Sequence, residues 1–168
     1  MKTSMSKIAS LITFLIIFMG CQDIQTELGE SEKDSIIQEV RTEYDKFIAA
    51  ASAHDAAVMM QSQWNSKDFL FASNGEMIKG FDAMHNVVNS IHSNPELQSY
   101  SVELNEIKIR VISREAAIIS SEGFLNNFPT YEGLKSIKTV ETVLMEKIDG
   151  KWVITVGHES TREDLESL

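Results

Sequence analysis

From Asp34 to Asp55, apolar residues recur at three- and four-residue steps: Ile36, Ile37, Val40, Tyr44, Phe47, Ile48 and Ala51. That spacing predicts an amphipathic helix with one buried stripe, which Asp34 or Ser35 can cap. Asp55 can cap a second, short helix carrying Val58 and Met59 and leading to Trp64. The pattern then changes. "KDFLFAS" and "EMIKG" read as two short strands around Asn74-Gly75, a pair that tolerates positive φ at both positions. Phe81, Met84, Val87, Val88 and Ile91 lie on one side of a third helix, which must end by Pro95. From Tyr100 onward the period is that of strands. Val102 and Leu104 alternate, but Ile107, Ile109 and Val111 carry the opposite phase. A phase slip inside a long strand predicts a bulge and a bent sheet. "AAIISSEGFLNNF" returns, "NNFPTYEGLKS" reads as a loop, and "IKTVETVLMEKI" and "KWVITVGHES" form a hairpin around Asp149-Gly150. The order predicts an α+β fold, with three helices packed in a curved antiparallel sheet.

Residues 1–33 belong to none of these elements. Lys2 and Lys7 precede an uncharged run, Leu11 to Gly20, that is too short to span a bilayer comfortably. A basic head, a short apolar middle and a small residue at a boundary describe a signal peptide. The boundary "FMGC" resembles the lipobox of bacterial lipoproteins, with Phe18 where Leu is usual. The resemblance implies that residues 1–20 are removed and that Cys21 is lipidated. Cys21 is the only cysteine, so no disulfide competes for it. Residues 21–33 read as an acidic, flexible tether, 34–162 as the folded domain and 163–168 as a tail. The expected location is the bacterial envelope, at the outer membrane or cell surface rather than the inner membrane.

Composition narrows the partners. Hydrophobic residues make up 43% and charged residues 24%, as in an ordinary globular domain. The formal charge of −10 becomes −12 once residues 1–20, with two lysines and no acid, are gone. Such a body is a poor partner for nucleic acid and is repelled by anionic lipid. Membrane attachment would therefore rest on acyl chains. No phosphate-cradling glycine loop, nucleotide fingerprint or nucleophile elbow is present, and no cofactor is expected.

Three stretches together, "AASAHDAAVMMQSQW", "NGEMIKGFDAM" and "DGKWVITVGHES", resemble the nuclear transport factor 2-like superfamily, specifically its SnoaL-like branch. The resemblance covers roughly residues 34–160. It implies a cone in which a bent sheet wraps three helices and leaves a pocket at the wide end. It also implies an outer sheet face that commonly forms homodimers. Relatives include ketosteroid isomerase, scytalone dehydratase, polyketide cyclases and proteins that are not enzymes, so the fold does not decide the function. The Tyr and acid residues that ketosteroid isomerase uses have no counterpart that the sequence alone can place here.

The final hairpin supplies candidate chemistry. If its register runs unbroken from Asp149-Gly150, Glu141 lies opposite His158 and Thr139 opposite Ser160, on one face with Val143, Met145, Ile154 and Val156. A carboxylate beside an imidazole can orient and charge it for general-base work. The same pair can equally polarise a ligand or simply satisfy itself. Other pocket candidates are Trp64, Phe69, Phe71 and His85, though aromatic residues at such positions are more often core. His85 and His92 share a helical face but stand about 10 Å apart along it, too far for one metal ion. Glu122 is either solvent-facing or a third acid, and His54 reads as an exposed helix-end residue. The loop with Phe128 and Tyr131 reads either as a lid over the opening or as an ordinary surface loop. Three functions follow as expectations: an envelope protein that binds a small, mostly apolar molecule; a lyase, isomerase or hydrolase using Glu141 and His158; or a ligand-free homodimeric module.

Overall fold

The computed structural model describes residues 27–163. The expected signal peptide, Cys21, most of the expected tether and residues 164–168 of the expected tail lie outside them. Helix α1 spans Glu30–Ser52, α2 Ala56–Gln61 and α3 Phe81–Ser93. The strands are β1 Leu70–Ser73, β2 Glu76–Lys79, β3 Ser101–Ser113, β4 Ala116–Thr130, β5 Gly133–Ile148 and β6 Lys151–Glu163. They form one six-stranded sheet in the order β2-β1-β6-β5-β4-β3. The α+β class and the curved sheet follow the sequence reading. One seam does not: β1 runs parallel to β6, with Leu70 beside Val156. The crossover between these strands is long, and alternation carries no sign of direction.

Helix α1 starts earlier than expected, inside the segment read as tether. Gly29 occupies the N-cap without a side-chain hydrogen bond, and Glu30 and Glu32 fill the first turn. Acids there complement the helix dipole. Arg114 in the β3–β4 turn also pairs with Glu32 at 2.6 Å, fastening this end to the sheet. Asp55 caps α2, accepting from the Val58 N–H at 3.0 Å. The buried stripe of α1 (Ile36, Val40, Tyr44, Phe47) packs with Met84 and Val88 of α3 on the concave sheet face.

Bulges bend the sheet. The register of β3 against β4 slips between Leu104 and Glu106, where the apolar phase changes. The expected loop at 126–136 is instead paired strand, with Phe128 opposite Lys135 and Thr130 opposite Gly133. Its Gly and Pro belong to a tight turn at Tyr131-Glu132 and to the strand leading into it. Tyr131 is fully exposed at that tip, whereas Phe128 lines the cavity.

Candidate functional site

The decisive feature lies in the last hairpin. Asp149 (φ 50°) and Gly150 (φ 80°) make the expected turn. Ile148 pairs with Lys151, and the register holds back to Met145 opposite Ile154. It then slips by one, because Thr155 is an extra residue and Leu144 faces Val156. Beyond the slip, Glu141 lies opposite Glu159, Thr142 opposite His158 and Val140 opposite Ser160. The expected Glu141–His158 and Thr139–Ser160 pairs are not formed. His158, Ser160 and Val156 are exposed on the outer face. The cause is a change of neighbour along β6. Ile154 exchanges backbone hydrogen bonds with Ser62 and Trp64, at 2.8 and 2.9 Å, and from Val156 onward β1 takes over. Thr155 absorbs the mismatch and is itself buried.

This slip assembles a polar row across the concave face. Ser121 of β4 lies beside Glu141 of β5, Glu141 beside Glu159 of β6, and Glu159 beside Ser73 of β1. Tyr44 of α1 lies above the row. Its hydroxyl donates to Glu141 Oε2 at 2.5 Å and lies 2.7 Å from Ser121 Oγ. Thr139 donates to Glu159 Oε1 at 3.1 Å. The row forms one wall of a cavity of about 340 Å³ whose other walls are largely apolar, including Phe47, Phe71, Val88, Leu104 and Phe128. A few polar groups in an apolar concavity are the usual profile of a small-molecule site.

Electrostatics follow from this placement. Burial pushes the Glu141 carboxyl up to about 7; the nearby Glu159 adds to the rise and the Tyr44 hydrogen bond opposes it. Burial also raises Glu159, against the Thr139 hydrogen bond and the charge of His158. Two facing carboxyl groups in one apolar space therefore retain a proton near neutrality. Burial, then the Glu141 charge, keeps the Tyr44 phenol protonated as a donor. Among the described residues no group of His, Cys, Asp and Glu is arranged to hold a metal ion.

The remaining candidates scatter. Phe71 lines the cavity, and so does Thr139. Phe69 is core, and Trp64 packs against the core outside the cavity lining. His85 is exposed, with its ring stacked on Phe81. His92, on the same helix, is buried and lines the cavity. His54 is half-buried, with its ring edge-on to Tyr100 and Nε2 3.0 Å from the Tyr100 carbonyl. Glu122 points away from the cavity and pairs with Lys138 at 3.0 Å. Sequence reasoning missed Glu159, Tyr44, Ser121, Ser73 and Tyr100. One signal was available: Gly157, a glycine inside a strand, often marks a bulge or a close approach. Here the Phe71 ring occupies the space that a Cβ at Gly157 would need.

The fold has solved counterparts. An NTF-2-like protein of unknown function from Shewanella oneidensis superposes with a TM-score of 0.61 at 25% identity, over 74% of this chain and 98% of that one. An uncharacterized protein with a cystatin-like fold from Caulobacter vibrioides gives 0.66 at 15% identity, over 76% and 90%. A ketosteroid isomerase-like protein from Erwinia carotovora atroseptica gives 0.60 at 16% identity, over 74% and 94%. No curated protein is recognisably similar in sequence. The sequence itself matches the SnoaL-like domain over residues 40–162, from the middle of α1 to the end of β6 and through every residue of the polar row, and the chain therefore belongs to the SnoaL-like domain family.

Proposed function

We propose that this domain takes up a small, mostly apolar molecule and holds its polar group against Glu141 and Glu159. The observation that carries the reading is the polar row on one wall of an otherwise apolar cavity. A structural role alone would leave the two acids uncompensated in that space, at a cost that apolar residues would avoid. We propose further that acyl chains on Cys21 hold the domain at the bacterial envelope, with its acidic body kept off the lipid surface. A homodimer through the outer sheet face fits the exposure of Val140 (42%) and of Val156 (40%), the cross-strand partner of Leu144.

A second reading is favoured by one feature. A carboxyl near pH 7 beside a protonated phenol is suited to moving a proton on a bound substrate, as a lyase or isomerase requires. One solved counterpart is described as ketosteroid isomerase-like. On this reading Glu141 and Glu159 replace the Glu141–His158 pair as the acid–base groups, and Tyr44 is the donor.

Native mass spectrometry of the protein from its own host tests the leading reading. The expected result is a small organic molecule bound to the folded chain and lost on Glu141→Gln, with a dimer mass if the outer face pairs. A folded protein that carries nothing, and that takes up no apolar probe, would overturn it.

A further inference from the structure

The cavity holds acidic groups that no basic side chain of the described residues balances. Tyr100 is only 8% exposed and lines the cavity. Burial, and then the charge of Glu159, push this phenol up to about 12. The ionisable residues lining the cavity are Tyr44 from α1, His92 from α3, Tyr100 just before β3, Glu141 from β5 and Glu159 from β6. Among the described residues no Lys or Arg lines it. Burial, and then the neighbouring His54, lower the His92 pKa, so its ring is uncharged at neutral pH. The charges that the described residues turn towards the cavity are therefore negative, and none of those residues supplies a cation to balance them.

Each carboxyl also has accepting capacity left over. Glu141 receives Tyr44 on Oε2, and Glu159 receives Thr139 on Oε1, which leaves one oxygen on each side of the row. Aromatic rings (Phe47, Phe71, Tyr100, Phe128) line the adjoining walls. Ring faces attract cations, most strongly where water is excluded. We infer that the molecule taken up carries a protonated amine, seated between Glu141 and Glu159, on an apolar body that fills the aromatic part of the cavity. An ammonium has three donors and no acceptor, which suits the free carboxylate oxygen on each side of the row. An anionic head would face two acids, and a neutral hydroxyl would leave the charge unbalanced. In the free protein the acids keep a proton between them, and an arriving ammonium displaces it. Amine binding therefore releases a proton and strengthens as pH rises through neutrality.

This inference rests on the reading of the cavity as a binding site, and the two can fail separately. The probes are 4-phenylbutylamine, 4-phenylbutanol and 4-phenylbutanoate, which share one skeleton, titrated calorimetrically into the full chain. The expected result is amine binding about tenfold tighter than alcohol binding, with the carboxylate weakest. Measured in two buffers of different protonation enthalpy, amine binding should release a proton and alcohol binding should not. In Glu159→Gln, checked for folding by its melting temperature, the amine-to-alcohol ratio should fall towards one. Alcohol binding as tight as amine binding overturns the inference and leaves the cavity reading intact. Binding by none of the three overturns both. An amine preference unchanged in Glu159→Gln places the amine elsewhere and also overturns the inference.

Discussion

At Glu141 burial and the nearby Glu159 favour the neutral acid, while the Tyr44 hydroxyl favours the carboxylate; burial is the largest of the three. The group ends near pH 7, against about 4.5 unfolded. The folded state thus binds more protons than the unfolded state between those values. Its contribution to stability is complete below about pH 4.5 and is lost as pH rises through about 7. The slope can reach about 1.4 kcal/mol per pH unit. Replacing Glu141 with Gln keeps the acceptor for Tyr44 and removes the titration. Melting temperatures of the protein and of Glu141→Gln, compared from pH 5 to 8, should therefore diverge, with the variant gaining relative stability as pH rises. Parallel curves would mean that Glu141 is not held in an apolar setting. The difference between the two proteins isolates Glu141 from the other buried ionisable groups, Glu159 and His92, whose pKa values burial also shifts.

Among the elements, β3 and β4 show how bending and packing constrain each other. Asn105 is the extra residue of the first bulge, and Gly123 is the partner of Leu104 beside it. The β3 backbone closes onto Gly123 so tightly that an added Cβ would collide with the Glu103 carbonyl oxygen. The obstacle is backbone, so no rotamer change relieves it. Gly123→Ala should cost roughly 1–3 kcal/mol, measurable by denaturant titration. Because Gly123 borders the Ser121–Glu141 row, the same change should weaken probe binding even where the fold survives. An unchanged midpoint would mean that β3 and β4 lie further apart at the bulge. The β6 bulge acts in the same way on a larger consequence: one extra residue, Thr155, exchanges which of His158 and Glu159 the cavity receives.

For the whole molecule, the strongest long-range property is charge, −10 for the full chain and −12 if the proposed signal peptide is removed. Among the described residues no helix is long and apolar enough to cross a membrane. The proposed attachment therefore depends on Cys21 and its acyl chains, of which two or three are needed for stable anchoring. Cys21→Ser should move the protein from the membrane fraction to the soluble fraction of its host without changing the melting temperature of the domain. Fractionation that ignores the substitution would end the lipoprotein proposal.

The sequence by itself determined what depends on local spacing. Helical stripes placed α1 and α3, Asn74-Gly75 and Asp149-Gly150 specified their turns, and the change of apolar phase after Leu104 marked a bulge. These features are legible because the side-chain periods of helix and strand, and the positive φ that glycine tolerates, act within a few residues. The start of α1 was less legible, since an acidic first turn on a glycine cap resembles a tether. The strand ends around Tyr131 were also hidden, since Pro and Gly near a turn read as a loop. The site was decided only by the tertiary structure. Tyr44 and Glu141 are far apart in sequence and meet because α1 packs on the concave face of the sheet. The phase of β6 is set by its partners, first the Ser62–Trp64 segment and then β1, neither of which alternation can identify. A period of two cannot register an inserted residue whose only cause is a change of neighbour, and so the face presented by the end of β6 was settled by the strands packed beside it.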